Sequence, residues 1–114
     1  MSREGDVVLV ITSAPDRVVA RTIAHTLIEK KLAACVNLGA PVLSIYEWND
    51  TIESTDEIPL WIKTTVGKQD VVMQALATLH PYDVPEILVV PVIAGSAAYL
   101  QWVREQTNGT LPSV

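Results

Sequence analysis

The sequence predicts an α+β domain in which two βαβ halves share one antiparallel sheet. Three observations support this prediction: the order of the strand-like and helix-like segments, a long hairpin pattern between them, and two strand segments that are apolar at every position. The chain has 114 residues, which suits one domain with one hydrophobic core. We therefore predict a single domain over residues 1–114, with a core spanning about 6–107 and a flexible tail over 108–114.

The first part of the chain predicts a strand followed by an amphipathic helix. Residues 7–11 are an unbroken run of β-branched and aliphatic side chains. Beyond this run, Ser13 can cap a helix and Asp16 would lie at its positive end. The apolar residues of one helical face follow, namely Val19, Ala20, Ile23, Ala24, Leu27 and Ile28.

A long hairpin is predicted next. Two β-rich stretches, 33–48 and 51–65, are joined by Asn49-Asp50, and both residue types tolerate the positive φ of a tight turn. The segment 39–41, Gly-Ala-Pro, interrupts the first arm, and Pro59 interrupts the second. We expect each arm to carry a bulge or to lie at a sheet edge, where a missing N–H is tolerated.

The second half of the chain repeats the helix and strand pattern. A helix with Val72 and Leu76 on its apolar face should follow Gly67 and end at His80-Pro81, because a residue before proline is disfavoured in the α region. Residues 87–92 predict another strand.

A third helix should close the chain. Ser96 can cap it, Tyr99, Trp102 and Val103 would line one side, and Asn108-Gly109 would end it. The order β-α-β-β-α-β-α, with right-handed crossovers, is that of a ferredoxin-like α/β sandwich with a long central hairpin and a C-terminal helix.

The apolar strands predict self-association. A half-exposed antiparallel strand alternates apolar and polar residues, yet 7–11 and 87–90 are apolar throughout. We expect helices to cover one face of the sheet and no segment to be left for the other. Identical sheets from neighbouring subunits in a closed homo-oligomer would then cover the second face.

Composition excludes several classes of function. The formal net charge is −5 without a basic stripe, which disfavours nucleic-acid binding. No apolar run approaches the roughly 20 residues of a membrane span, and no secretory signal pattern opens the chain, so we expect no membrane association and a cytoplasmic location. Neither a glycine-rich phosphate loop nor a nucleophile elbow is present, so we expect no organic cofactor.

The segment 80–86 has the highest density of polar side chains with chemically useful groups in the chain. It holds an imidazole, a phenol and two carboxylates between two prolines. His80 could bind a metal together with Glu86, or it could bond a helix-end carbonyl while Tyr82 packs nearby. The single cysteine, Cys35, is either a small packing residue or a soft ligand for copper.

The hairpin carries a second group of chemistry-bearing residues. Its carboxylates between residues 47 and 57 predict a solvated, self-repelling surface, because alternate side chains of a strand point to opposite faces. We assign Tyr46, Trp48 and Trp61 to an interface or to core packing. Lys63 could reach water, meet an acid such as Glu86, or bind an anion.

Six motifs in this chain, taken in order, resemble the CutA family of divalent-cation tolerance proteins over nearly all of residues 6–107. The motifs are TSAPD at 12–16, KLAACVN at 31–37, SIYEW at 44–48, IKTT at 62–65, HPYDVPE at 80–86 and YLQW at 99–102. The resemblance implies a ferredoxin-like homotrimer, similar in design to the PII signalling proteins, whose hairpin reaches onto a neighbouring subunit.

The resemblance also implies a link to copper and other divalent ions. Some bacterial relatives carry cysteines where this chain has Thr12 and Ala75, so a thiol-rich metal site is not implied here. Cys35, His80 and Glu86 remain the candidate metal ligands.

Our leading hypothesis is a non-enzymatic homotrimer that binds divalent metal, Cu(II) first, near clefts between subunits. The alternative is a PII-like sensor that binds a small anionic ligand at Lys63 and Tyr82 and signals to a protein partner. An acylphosphatase-like enzyme on the same fold is disfavoured, because the turn over 12–16 lacks phosphate-cradling glycines and a nearby arginine.

Overall fold

A computed structural model describes residues 3–108 and shows an α+β arrangement of one antiparallel sheet and three helices in that range. The elements are β1 Val7–Ala14, α1 Arg17–Glu29, β2 Cys35–Leu38, β3 Val42–Trp48, β4 Thr51–Thr65, α2 Val66–Leu79, β5 Ile87–Pro91 and α3 Ala97–Asn108. The predicted element order is confirmed. Apart from Asn108, the predicted flexible tail lies outside the described residues.

The sheet is organised around the long strand β4. The strand order is β2-β4-β1-β5, and β3 pairs with the first half of β4. Every neighbouring pair is antiparallel. The first and last strands therefore lie side by side, as the two βαβ halves require.

The hairpin has the predicted turn and one of the predicted bulges. Asn49 and Asp50 adopt φ values of 51° and 61°, as a two-residue hairpin turn of type I′ requires. Leu38 pairs with Leu60 whereas Val42 pairs with Glu57, so the first arm carries one extra residue between these pairs. The bulge expected at 39–41 is therefore confirmed.

Pro59 differs from expectation, because it lies in β4 without a bulge opposite Ser13 of β1. The Pro59 carbonyl accepts a hydrogen bond from Gly39 N at 2.9 Å. The N and O atoms of one residue in an antiparallel ladder face the same neighbouring strand. The missing N–H of Pro59 therefore faces the break at 39–41 and removes no bond to β1.

Helix α1 begins at a different cap from the one predicted. Asp16 is the N-cap, and its side chain accepts a hydrogen bond from Val19 N at 2.9 Å. The prediction that Ser13 caps the helix is wrong, because β1 continues to Ala14 and buries Ser13 within the strand. Helix α2 stops before Pro81 as predicted, but it begins at Val66, so Gly67 lies inside the helix rather than before it. The predicted Ser96 cap of α3 is confirmed, because Ser96 Oγ accepts from Tyr99 N at 3.3 Å.

The hydrophobic core lies between the sheet and helices α1 and α2. Alternate residues of β1 and β4 point into it, as the period of two along a strand requires. Its fully buried members include Val10, Ile23, Leu27, Leu60, Ile62, Val72 and Leu76. Burying each such side chain stabilises the fold by about 1.5–3 kcal/mol.

Helix α3 lies against the opposite face of the sheet, which corrects the expectation that no segment would be left for it. Val36 and Leu38 pack on the core, so Cys35, the residue before Val36 in β2, points to the second face, where α3 lies. Tyr99 of α3 lies beside Cys35 there, and Val103 is buried.

Part of this second face stays uncovered in a single chain. Leu88 and Val90 alternate with Ile87 and Val89, which pack on the core, so the first pair points away from it. Trp61, Leu88 and Val90 are 37%, 54% and 42% exposed. We call these three residues the open face.

Gly39 provides a test of the packing at the break in the first arm. A Cβ at this position would lie 2.7 Å from the Trp61 ring and 2.9 Å from Pro59 Cγ. We expect Gly39→Ala to lower the free energy of unfolding by about 1–3 kcal/mol, the usual cost of overpacking, in urea titrations. Fluorine NMR of fluorotryptophan-labelled protein should show a shifted Trp61 signal.

The matched control for this test is Gly5→Ala, whose Cβ would meet Arg104 at an ordinary 3.6 Å. It should leave both the stability and the Trp61 signal unchanged. A Gly39→Ala protein as stable as the parent, with an unmoved Trp61 signal, would contradict the packing described.

Candidate functional site

His80 joins the end of α2 to the end of β1. Its ring is buried, at 6% exposure. Nε2 lies 2.6 Å from the Ser13 carbonyl oxygen, and Nδ1 lies 3.1 Å from the Tyr82 backbone nitrogen. Because the Tyr82 N–H can only donate, Nδ1 is the acceptor, and Nε2 carries the proton donated to Ser13. His80 thus bonds a main-chain carbonyl, but this carbonyl belongs to Ser13 in β1 and not to the end of a helix, as one of the two interpretations expected.

A second bond fixes the other end of the same loop. The buried Thr12 hydroxyl donates to the Glu86 carbonyl oxygen at 2.6 Å. Thr12 and Ser13 are neighbours in β1, so both ends of the segment 80–86 are tied to one short stretch of strand. The loop is thereby positioned beside the hairpin.

A groove of about 600 Å³ lies between this loop and the hairpin. Its size is within the usual range of small-molecule sites, which is roughly 300–1,000 Å³. The lining residues come from the end of β1, from both arms of the hairpin and from the loop. They are Ser13, Tyr46, Trp48, Glu53, Glu57, Pro81, Tyr82, Asp83, Val84 and Glu86.

The lining of the groove is acidic and aromatic. Glu53 and Glu57 of β4 face Asp83 and Glu86 of the loop across it, and no Lys, Arg or His from residues 3–108 belongs to the lining. Tyr46 pairs directly with Glu53 across the hairpin. The carboxylates create a negative potential that favours cations and opposes anions.

The acidic lining affects the pKa of Tyr82. Burial raises the pKa of its phenol above the usual 10.0, and the charge of Glu57 raises it further, with smaller contributions from Tyr46 and Asp16. The neighbouring carboxylates disfavour a second negative charge. At neutral pH the phenol is therefore protonated and can donate a hydrogen bond into the groove.

Cys35 and Lys63 lie outside the groove lining, on the second face of the sheet. They are paired across β2 and β4. The Cys35 thiol lies 3.9 Å from Asn37 Oδ1, and the Lys63 ammonium donates to the same oxygen. Lys63 thus meets a side-chain amide in this chain rather than the carboxylate of Glu86. Burial and contact with Cys35 raise the pKa of Tyr99.

The candidate ligands Cys35, His80 and Glu86 do not form a metal site within one chain. In residues 3–108, no three or more His, Cys, Asp and Glu side chains converge closely enough to hold an ion. Both His80 nitrogens are already engaged. A site at these residues that is shared between subunits stays a prediction.

The residues assigned to an interface or to the core are all at the surface of a single chain. Tyr46 and Trp48 line the groove at 39% and 57% exposure, and Trp61 belongs to the open face. None of the three is in the core. Their role in an interface between chains stays a prediction.

Sequence reasoning missed Glu53, Glu57 and Asp83 as members of a site. The hairpin carboxylates had the period of two that places Glu53 and Glu57 on one face, with Glu47 and Asp56 on the other. This spacing shows that Glu53 and Glu57 share a face of the hairpin. It does not show that the loop 80–86 lies next to that face, because the position of the loop depends on the tertiary hydrogen bonds of Thr12 and His80.

The fold and the groove define a small ferredoxin-like α+β protein with an acidic, aromatic surface site. The family described as CutA1 divalent ion tolerance protein matches residues 8–106. Since the match covers most of the chain, the chain belongs to the CutA1 divalent ion tolerance family. The resemblance seen in the six sequence motifs is confirmed.

Comparison with individual relatives supports this assignment. The divalent-cation tolerance protein CutA of Thermus thermophilus is 41% identical over 100 residues, which are 88% of this chain and 97% of that protein. The human protein CutA is 39% identical over 110 residues, covering 96% of this chain. This chain spans only 62% of the length of the human protein.

Solved structures of the family share the fold. The crystal structure of CutA1 from Shewanella sp. SIB1 superposes with a TM-score of 0.89 at 39% identity, covering 97% of this chain and all of that one. The ferredoxin-like arrangement predicted from the element order is thus confirmed. No helix among residues 3–108 is long and apolar enough to cross a membrane.

The groove's electrostatics can be tested at Tyr82. We expect Glu57→Gln to lower the pKa of the Tyr82 phenol but to leave it above 10.0, because burial is the larger cause of the shift. The measurement is a pH titration of the Tyr82 ring carbon by NMR. Since the folded pKa is raised, the stabilisation due to the neutral phenol is present below the unfolded pKa and is lost as pH rises through the folded value.

Glu47→Gln is the matched control, because Glu47 lies on the hairpin face away from Tyr46 and Trp48. It should leave the Tyr82 titration unchanged. Equal effects of both substitutions would show that Glu57 exerts no local influence on the phenol.

Proposed function

We propose that this protein is a non-enzymatic homotrimer that binds divalent cations next to the contacts between its subunits. Membership of the CutA1 divalent ion tolerance family supports the class of ligand. The observation that carries the proposal is the acidic groove, because its four carboxylates lie beside an apolar surface that a single chain leaves uncovered.

The groove and the open face are continuous. Glu57, Pro59 and Trp61 alternate along β4, so their side chains point to the same side of the sheet. A subunit covering Trp61 would therefore come close to Glu57. A divalent cation needs several oxygen ligands that converge on it, and one chain supplies no such cluster within residues 3–108. Donors from a neighbouring subunit would complete the site.

The donor atoms of the groove suit hard divalent ions. Carboxylate oxygens favour Mg²⁺, Ca²⁺ and Mn²⁺, whereas copper is favoured by imidazole and thiolate. His80 could bind Cu(II) only by giving up its bond to Ser13 or to Tyr82. We therefore place oxygen ligation first and keep Cu(II) at Cys35, His80 and Glu86 as the competing prediction.

The anion-sensor alternative has less support from the geometry. Tyr82 lies among carboxylates, and Lys63 is not part of the groove lining. An anion at Tyr82 would meet the repulsion of Glu57 without the compensating charge of Lys63.

The proposal is tested by calorimetric titration of the assembled protein with Mn²⁺, Mg²⁺ and Cu(II). We expect saturable binding of Mn²⁺ that Glu57→Gln weakens at least threefold and His80→Ala leaves within twofold. Leu88→Lys on the open face should lower the assembly mass in light scattering and reduce Mn²⁺ binding, because the second subunit then no longer supplies ligands.

Val18→Lys is the control for the open-face variant, since Val18 is 75% exposed on α1, on the other side of the sheet. It should change neither mass nor binding. A monomeric parent protein, or Mn²⁺ binding that survives Leu88→Lys unchanged, would contradict the shared site. Cu(II) binding lost in His80→Ala and retained in Glu57→Gln would favour the competing prediction.

A further inference from the structure

The carboxylates of the groove are dispersed rather than clustered. Glu53 and Glu57 are separated by four positions along β4, which at the usual rise of a strand is about 13 Å. Asp83 and Glu86 lie on the opposite wall. A compact ion cannot contact such a set within one chain, because its ligands lie only about 2.0–2.6 Å away. An extended ligand with several positive charges can.

Aromatic rings occupy the space between these charges. Tyr46, Trp48 and Tyr82 line the groove and remain 39%, 57% and 42% exposed. The faces of such rings attract ammonium groups, with Trp the most effective. Their apolar surface also suits methylene chains, which lie along apolar side chains while their charged ends stay at the polar rim. Aromatic rings do not supply the oxygen ligands that Mg²⁺ and Ca²⁺ require.

We propose that the groove between the hairpin and the loop 80–86 binds a linear organic polycation of the polyamine class. The ammonium groups pair with Glu53 and Glu57 on one wall and with Asp83 and Glu86 on the other, as charge-assisted hydrogen bonds. The methylene segments between them lie over Trp48 and Tyr82. The ligand is defined by spaced positive charges on a flexible apolar chain, which fits both the charge and the composition of the lining.

This inference shares the groove with the divalent-cation proposal, but it depends on different residues. Metal binding needs carboxylates and a second subunit, whereas polyamine binding needs carboxylates and aromatic rings of one chain. Substitution of an aromatic residue should therefore separate the two.

The test is titration of the full-length assembled protein with spermidine, followed by calorimetry and by tryptophan fluorescence. We expect saturable binding that weakens with added salt, because exposed charge pairs are screened. Glu57→Gln should weaken spermidine binding at least threefold. Trp48→Leu should weaken it about two- to fivefold, the usual contribution of an exposed cation–π contact, and should weaken spermidine binding more than Mn²⁺ binding, because Mn²⁺ takes oxygen ligands.

Two controls define the site. Glu47→Gln removes a hairpin carboxylate on the opposite face and should leave spermidine binding unchanged, which excludes a general effect of net charge. Tyr82→Leu is the second aromatic variant, to be used in place of Trp48→Leu if light scattering shows that Trp48→Leu alters the assembly.

The outcomes are distinct. Absence of saturable spermidine binding overturns the inference, and so does equal weakening by Glu57→Gln and Glu47→Gln. A groove filled by another subunit would give no binding and would likewise overturn it. Spermidine binding without Mn²⁺ binding supports this inference while contradicting the divalent-cation proposal, and the converse result contradicts this inference alone.

Discussion

The two hydrogen bonds of the His80 ring are the constraint on which the candidate site depends. One nitrogen donates to the Ser13 carbonyl and the other accepts from the Tyr82 N–H. Because both partners are main-chain groups, the ring fixes the path of the chain where α2 ends and the loop begins. Leaving a buried partner unpaired costs about 1–3 kcal/mol, so this arrangement resists rotation of the ring. One wall of the groove is thereby held in place against the hairpin.

Because of these bonds, some polar groups at the loop serve to hold the fold together and others are left to line the groove. The imidazole and the Thr12 hydroxyl point inward and are used for structure, while Tyr82, Asp83 and Glu86 face the groove. The hairpin contributes Glu53 and Glu57 to the opposite wall. These carboxylates give the lining of the groove a net negative charge. A bound cation offsets that charge, which connects the electrostatics of the groove to the cation ligands proposed for it.

Local sequence patterns predicted most of the fold. Asn49 and Asp50 identify the turn because their positive φ is local, and His80-Pro81 ends α2 for a similarly local steric reason. The errors arose where contacts between residues far apart in the sequence determine the local structure. Ser13 has a cap residue's chemistry, but its pairing opposite Pro59 keeps it in β1. Helix α3 was predicted, yet no pattern in the sequence indicates which face of the sheet it covers.

The candidate site was predicted only in part, for the same reason. The polar loop 80–86 was recognised from its composition, but His80 was assigned two roles that sequence alone cannot separate. The choice depends on the Ser13 carbonyl, which lies 67 residues away along the chain. The sequence identifies Glu53 and Glu57 only as part of a solvated, self-repelling hairpin surface. Their membership of a groove depends on the loop opposite, which only the tertiary structure supplies.

The most direct test of this account is the protonation state of the His80 ring, measured by nitrogen NMR at neutral pH. The account predicts a single tautomer with the proton on Nε2 and an unprotonated Nδ1, because the Tyr82 N–H requires an acceptor. The signals should stay unchanged when Mg²⁺ saturates the protein, since the ring is not a ligand. A proton on Nδ1, or ring nitrogens that shift as the ion binds, would contradict the structural role assigned to His80 and the site built upon it.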